Sequence, residues 1–315
     1  MDGGTRDLTS TAGTKPLTRK PTYKYQVVDV FTELPLEGNP LAVFTDGTGL
    51  DGETMQSIAR ELNLSETVFV LPSTEPGCAA QLRIFTPRQE LAFAGHPTVG
   101  TSYVLLTNGV VPKDAEHFVL QEKIGPVPIR VERGDRPLIW LTTPPIQTGR
   151  TFDRESCAGA LGLNSGDLLN CPPQLVSAGN PFVFVAVKSK EIVDRSWLDR
   201  TGVACFKNAD PDPTGVFVFA PTPEGAYSRM FAPDQGIAED PATGSATGPL
   251  AAYMIAQNLV AHTDGTRFIS EQGTKMKRRS ILHVQIRGDR GAGGIEVGGY
   301  VTPLVWAEMH LTGAV

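Results

Sequence analysis

The alternation of apolar and polar residues predicts a chain built mainly from short strands. Four apolar stretches rich in β-branched and aromatic residues predict strands at residues 25–31, 41–44, 65–71 and 81–85. Met55, Ile58 and Leu62 recur at helical spacing, so a short amphipathic helix that ends near Asn63 is predicted between the second and third strands. The glycine-rich residues 288–299 lack a nucleotide-binding fingerprint between a strand and a helix, and they predict a hairpin.

The chain also contains an internal repeat. Three motifs recur in the same order, residues 38–40 matching 179–181, residues 83–87 matching 229–233 and residues 96–101 matching 240–245. Their offsets of 141, 146 and 144 positions are nearly constant, and a repeat of this length is far longer than a solenoid unit. The repeat therefore predicts two copies of one fold, each a domain with its own core.

Each copy of the repeat includes one stretch that is apolar on every side of a helix. Residues 98–106 and 242–256 consist mostly of small or apolar residues, and each stretch follows a proline. A helix without a polar face must be enclosed by other elements. We therefore predict, in each copy, a curved sheet wrapped around a buried helix.

Composition and charge limit the class of partner. The chain has 28 Lys and Arg against 34 Asp and Glu, a net charge of −6 and a pI near 5.5. This balance argues against nucleic acid or an anionic membrane and favours a small molecule. No apolar run approaches the roughly 18 residues of a membrane span, so a cytoplasmic protein is expected. Residues 1–21 are poor in bulky apolar side chains and predict a flexible tail.

The cysteines and histidines predict chemistry without a metal. The four cysteines form no CxxC pair, and the five histidines form no HxH or HExxH motif. Neither a disulfide framework nor a metal site is indicated by such spacings. The basic run at residues 275–279 lies in an acidic chain, where such a run is typical of a solvated loop.

Two Pro-initiated helices carry the first candidate site residues. Pro97 and Pro241 suit the first position of a helix, which predicts that His96 and Asp240 are the N-caps. Two helix N-termini that face one cleft would bind a carboxylate through their free N–H groups. Asp is a common cap, so Asp240 has a purely structural alternative. Histidine is not a favoured cap, and its titration near neutral pH favours a role in proton exchange.

Glu66 and Ser245 complete the candidates found by pattern. Glu66 begins an apolar strand, where burial would raise the pKa of its carboxyl toward working pH and suit it to proton transfer. The alternative is a solvated glutamate at a strand end. Ser245 lies in a Gly-Ser-Ala-Thr-Gly segment that lacks the GxSxG pattern of a hydrolase nucleophile. Its hydroxyl is better suited to donate a hydrogen bond to an anion.

Taken together, five ordered motifs resemble the PhzF-like family of phenazine biosynthesis. They are Gly-Asn-Pro-Leu-Ala-Val at residues 38–43, Leu-Ser-Glu-Thr at 64–67, Phe-Ala-Gly-His-Pro at 93–97, Gly-Asn-Pro-Phe at 179–182 and Glu-Asp-Pro-Ala-Thr-Gly-Ser at 239–245. The resemblance implies the α+β diaminopimelate-epimerase fold, in which two pseudo-symmetric domains each wrap a barrel-like, mostly antiparallel sheet around a central helix. It implies a first domain of residues 22–143 with 303–315 and a second of residues 144–302, the last strand crossing back to the first domain.

The resemblance also implies an activity. The best-known member of the family isomerises trans-2,3-dihydro-3-hydroxyanthranilate as a homodimer without metal or organic cofactor. On the matching positions, the catalytic residues would be Glu66, His96 and Asp240, and the substrate-binding residues would be Asn39, Gly95, Gly244 and Ser245. Neither repeat motif contains Cys, so a two-thiol racemase is not expected. The alternatives are a related epimerase or isomerase of another amino or hydroxy acid, and a small-molecule binder without catalysis.

Overall fold

Two units with the same order of elements follow one another along the chain. The computed structural model describes residues 22–207, 211–288 and 294–311. The predicted tail at residues 1–21 and part of the predicted hairpin, residues 289–293, lie outside the described residues.

The first unit runs through β1 (Thr22–Val30), β2 (Asn39–Phe44), α1 (Gly52–Leu62), β3 (Glu66–Leu71), β4 (Ala80–Phe85), β5 (Glu90–Leu91), α2 (Gly95–Thr107), β6 (His117–Glu122), β7 (Gly125–Glu132), β8 (Leu138–Thr142) and β9 (Gln147–Thr151). The second runs through α3 (Arg154–Ala160), β10 (Gln174–Ser177), β11 (Pro181–Ala186), α4 (Lys190–Arg195), α5 (Arg200–Val203), β12 (Gly215–Thr222), β13 (Gly225–Ala232), β14 (Ile237–Asp240), α6 (Gly244–Ala256), β15 (Arg267–Gln272), β16 (Ser280–Ile286), β17 (Ile295–Gly299) and β18 (Val301–His310).

Strand pairing is duplicated between the units. β2 runs parallel to β3 and β4 parallel to β6, as β11 runs parallel to β12 and β13 to β15. β9 pairs with β10 of the second unit, and β18 returns to pair antiparallel with β1. The predicted return of the last strand is therefore confirmed. β8 and β17 pair with each other, so hydrogen bonds join both units into one continuous sheet.

A buried helix fills each unit, as the apolar pattern predicts. Nearly every residue of α2 and α6 is buried. In α2, Val99, Val104 and Leu105 pack in the core of the first unit, and in α6, Leu250 and Tyr253 pack in a core of the second. The predicted amphipathic helix is also confirmed, because α1 ends at Leu62 with Asn63 as its C-cap.

The predicted N-caps are wrong, because both helices start at a glycine. The N-cap of α2 is Ala94, which makes His96 the second helical residue, and the N-cap of α6 is Thr243. Asp240 lies four positions before α6, at the end of β14. The Thr98 hydroxyl donates to the Ala94 carbonyl, and the equivalent hydroxyl of α6 makes the same contact with its own cap. The repeat therefore superposes Gly-His at residues 95–96 on Gly-Ser at 244–245.

Candidate active site

The starts of α2 and α6 meet face to face between the units. A Cβ atom placed on Gly95 would lie 2.6 Å from the Gly244 carbonyl carbon and 2.7 Å from the Ser245 nitrogen. A Cβ atom on Gly244 would in turn lie 3.1 Å from the Gly95 Cα atom. This approach excludes a side chain at Gly95, whereas a side chain at Gly244 would require its neighbours to shift by a few tenths of an ångström. The positive ends of two helix dipoles thus lie side by side, an arrangement suited to binding an anion.

A cavity of about 130 Å³ opens beside the two helix starts. Its lining comes from both units and comprises Glu66, Thr86, Gln89, Leu91, Ala94, Asn180, Phe182, Thr214, Met230, Ala232, Gln235, Ile237, Asp240, Thr243 and Ser245. Glu66 and Asp240 are the charged members, and no lysine or arginine contributes to this lining. An anionic substrate group would therefore rely on backbone N–H groups and the Ser245 hydroxyl.

Glu66 is the first residue of β3, and its side chain is 12% exposed. Its Oε2 atom lies 3.2 Å from His96 Nε2 without hydrogen-bond geometry, and neither atom has a hydrogen-bond partner in the part of the chain that the structure describes. Burial raises the pKa of Glu66 well above its ordinary value, and the nearby charge of Asp240 adds to that rise. The alternative of a solvated strand-end glutamate is therefore wrong. A raised pKa brings the carboxyl closer to working pH, which suits it to taking up and returning protons.

His96 is a neutral, buried side chain that faces Glu66. The ring is 4% exposed, and burial lowers its pKa to about 3. The Asn39 amide nitrogen lies 3.3 Å from Nδ1, farther than from its two oxygen acceptors. Nε2 faces Glu66 Oε2 at 3.2 Å. Because the ring is neutral, this approach is not an ion pair.

Asn39 connects this pair to Asp240. Its amide nitrogen donates to Asp240 Oδ1 and to the Ala242 carbonyl, each at 2.9 Å, in addition to facing His96. The second oxygen of Asp240 accepts from the Thr243 hydroxyl at 2.5 Å. Burial raises the pKa of Asp240 to about 6, although both donors act to lower it. The structure thus brings the three predicted catalytic residues together and places Asn39 behind them, fully buried, as a bridge.

Two supporting residues escaped the sequence analysis. Glu122 ends β6, where its Oε1 atom lies 2.5 Å from the Thr98 hydroxyl oxygen, and burial raises the pKa of Glu122 to about 8. Gln272 occupies the matching place at the end of β15, where it donates to the Asp240 carbonyl and accepts from the Thr243 N–H. Glu122 thus contacts the first turn of α2, and Gln272 contacts the N-cap of α6. A polar residue that ends an apolar strand in both copies was the signal available in the sequence.

The described residues offer no alternative site for a metal. Within residues 22–207, 211–288 and 294–311, no group of His, Cys, Asp or Glu side chains could hold a metal ion. Across the same residues, no helix is long and apolar enough to cross a membrane.

Comparison with known structures identifies first the class of fold. A hydroxyproline epimerase from Agrobacterium vitis superposes with a TM-score of 0.62 over 92% of this chain and 93% of that one, at 15% identity. A PhzF-family phenazine biosynthesis protein from Bacillus anthracis superposes with a TM-score of 0.81 over 92% of this chain and all of that one, at 26% identity. The protein has the α+β fold shared by these epimerases and PhzF proteins.

The sequence comparisons then identify the family. The family model for phenazine biosynthesis-like proteins matches residues 28–304. The trans-2,3-dihydro-3-hydroxyanthranilate isomerase of Pseudomonas aeruginosa is 37% identical over 268 residues, which cover 84% of this chain and 91% of that protein. The chain belongs to the PhzF family, and it is an isomerase.

Proposed function

We propose that this protein shifts a proton within a small cyclic substrate that carries a carboxylate, as the name of its P. aeruginosa relative describes for trans-2,3-dihydro-3-hydroxyanthranilate. The observation that carries the proposal is the buried Glu66 carboxyl, 3.2 Å from His96 and on the wall of the cavity beside two helix N-termini. A proton-transferring group and an anion site thus adjoin one space.

The reaction proceeds through a single carboxylate. Ionised Glu66 removes a proton from a carbon beside an unsaturated system, and the electrons of the broken C–H bond enter that system. The same carboxyl then returns the proton to a distant carbon on the same face, which restores the Glu66 carboxylate. A proton on His96 Nε2 would stabilise the ionised form of Glu66, whose Oε2 atom lies 3.2 Å away. These steps need neither a metal nor an organic cofactor, so a cofactor-independent enzyme is proposed.

The substrate carboxylate is proposed to lie at the two helix starts. The N–H groups there are unpaired by the helices themselves, and the Ser245 hydroxyl lines the same cavity. Asp240 also borders the cavity, where it would orient an amine or hydroxyl of the substrate. The apolar Phe182 and Met230 would contact the ring.

The test compares wild type with Glu66→Gln, which keeps the shape of the side chain and removes the exchangeable acid. We expect turnover to fall by about 10²–10⁴-fold, the contribution of general acid–base catalysis, while ligand affinity changes little. In deuterated water the wild type should give product with at most partial label, because the abstracted proton returns before complete exchange. Matching thermal unfolding of both proteins is the folding control.

Two outcomes would overturn the proposal. Full turnover by the Glu66→Gln protein would eliminate this mechanism and move the acid–base role to His96 or Asp240. The absence of both product formation and deuterium exchange with wild type, across a panel of cyclic amino and hydroxy acids that includes trans-2,3-dihydro-3-hydroxyanthranilate, would favour a binding protein without catalysis.

A cytoplasmic homodimer is proposed as the working state. An apolar surface supports the dimer, because Trp306 is 68% and Val305 40% exposed on β18. Light scattering coupled to gel filtration tests the dimer, and a monomer at micromolar concentration would contradict it. Cell fractionation tests the location.

A further inference from the structure

The basic run at residues 275–279 does not behave as a solvated loop throughout, because Arg278 reaches from the second unit into the first. Its Nη2 atom donates to Asp29 Oδ1 at 2.7 Å and to the Glu37 carbonyl at 2.8 Å, and its Nε atom donates to the Gly38 carbonyl at 2.8 Å. Asp29 is fully buried, and its other oxygen accepts from the Leu36 N–H at 2.7 Å. The Asp29 carboxylate and the Arg278 guanidinium thus both bond to the turn at residues 36–38.

That turn needs external support. Leu36 has a φ of 68° and Gly38 a φ of 67°, and left-handed backbone at a leucine is disfavoured unless the surroundings hold it. A Cβ atom on Gly38 would lie 2.3 Å from the Val30 carbonyl oxygen, so the turn passes very close to β1. Asn39 is the next residue. The direction in which its amide leaves the backbone is therefore set by the turn that Arg278 holds.

The segment that carries Arg278 also contacts the other side of the site. Gln272 donates to the Asp240 carbonyl at 2.7 Å and accepts from the Thr243 N–H at 3.1 Å. A Cβ atom on Gly273 would lie 2.6 Å from the Pro241 carbonyl oxygen. Residues 272–278 consequently hold the Asp240 turn at one end and the turn before Asn39 at the other.

We propose that Arg278 is a positioning residue of the active site, which aims the Asn39 amide at Asp240 and His96. The inference deepens the proposed function and rests on it. Three bonds from two nitrogens, to one carboxylate and two carbonyls, use the planar fork of arginine, and a lysine ammonium cannot reproduce them. Arg278 acts through Asn39 and makes no contact with the reacting atoms.

Replacing Arg278 should also change the pKa of Asp240. The Asn39 amide is one of the donors that lower the pKa of Asp240, so a misdirected amide should raise that pKa further. Three titratable groups lie around Asp240. The charge of Glu239 raises the pKa of Asp240, and Glu66 interacts with Asp240 through charge. His96 lies beside the same Asn39 amide. None of these is altered when Arg278 is replaced.

The experiment uses Arg278→Lys, which keeps the charge beside Asp29 but loses the fork. Carbon-13 NMR titration of the Asp240 carboxyl is the first readout, since it needs no substrate. We expect its midpoint to move upward by at least half a pH unit, and kcat to fall about 10- to 100-fold with KM changed less than threefold. Arg279→Lys, in an exposed pair with Glu271, is the matched control and should match wild type.

A double-mutant cycle separates positioning from a general loss of stability. Once Asn39→Ala has removed the amide, Arg278→Lys should cause no further loss of kcat, whereas a purely structural role would give multiplied losses. If Arg278→Lys does not fold, Asp29→Asn combined with Arg278→Met removes both charges and serves instead. An unmoved Asp240 titration in a folded variant would overturn the proposal. A shifted titration in an enzyme that turns over no substrate would instead refute the proposed function alone.

Discussion

A methyl group at Gly95 should force apart the two helix starts that form the proposed carboxylate site. The added Cβ atom would lie 2.6 Å from the Gly244 carbonyl carbon and 2.7 Å from the Ser245 nitrogen, and both atoms are backbone. Carbon atoms rest about 3.5 Å apart or more, so the two backbones must separate by roughly 1 Å. A displacement of about 1 Å of groups that hold a substrate costs around 100-fold in rate. We expect Gly95→Ala to lower kcat/KM by about that factor.

Two further glycines provide the controls for this prediction. Gly100→Ala, in the same helix, would place its Cβ atom 2.7 Å from side-chain atoms of Leu41 and Val30 in the core. It should cost about 1–3 kcal/mol of stability, like Gly95→Ala, and leave kcat/KM within a few-fold. Gly159→Ala, in α3 with no atom within 4 Å, should leave both unchanged or add slightly to stability.

The assay combines initial rates of isomerisation with thermal unfolding of each variant. A Gly95→Ala protein with kcat/KM within threefold of wild type would refute the reasoning, because it would show that the two helix starts need not touch. A Gly100→Ala protein as inactive as Gly95→Ala would refute it differently. Activity would then follow overpacking of the helix in general rather than the contact at its start.

Three further predictions concern binding and stability. Ser245→Ala should weaken binding of a carboxylate ligand by about 1.5–3 kcal/mol in titration calorimetry, and unchanged affinity would place the hydroxyl outside the site. In the wild type, the folded Glu122 carboxyl keeps its proton until about pH 8 while the unfolded one releases it, so the protein should lose stability as pH rises from 4.5 to 8. Glu122→Gln should remove this loss. Urea unfolding should therefore show the variant more stable than wild type by a few kcal/mol at pH 8.5 but not at pH 5. Arg229→Met breaks a buried ion pair with Glu239 and should cost about 3–5 kcal/mol of stability in urea unfolding. Arg83→Met breaks the more exposed ion pair at the matching position of the repeat and should cost about 1 kcal/mol or less. Equal losses would contradict the argument from burial.

Local pattern was sufficient for most elements of the fold. The strands around the Gly-Asn-Pro turns, the helix α1 and the two buried helices follow from apolar spacing and turn residues, because each depends on neighbours within a few positions. The sequence repeat further predicted that these elements form two similar units. The crossing of β18 to β1 came from family resemblance, since nothing within Val301–His310 specifies a partner at the far end of the chain.

The details of the site depend on contacts between distant residues. Asn39 bonds to Asp240 across 201 positions, and Arg278 bonds to Gly38 across 240, so no local window contains either pair. The pattern of charge made Arg278 part of a solvated loop, and the family motif placed Asn39 among the substrate-binding residues. The His-Pro pair at residues 96–97 and the Asp-Pro pair at residues 240–241 match each other in the sequence repeat. The helix starts instead align at Gly95 and Gly244, where the two backbones touch.

The duplicated topology gives a reason for transfer by one base. Glu66 pairs with Leu41 where β3 begins beside β2, and the corresponding pairing of β12 with β11 places Gly215 beside Phe182. A Cβ atom on Gly215 would lie 2.8 Å from both Met230 Sδ and the Phe231 carbonyl oxygen, so the second unit has no room there for an acid. The position that matches His96 is likewise Ser245, which does not titrate near neutral pH. A racemase that transfers protons on two faces would need a base from each unit, whereas in the proposed mechanism the first unit supplies Glu66 and His96 and the second supplies the Ser245 hydroxyl. The asymmetry therefore favours removal and return of the proton on one face.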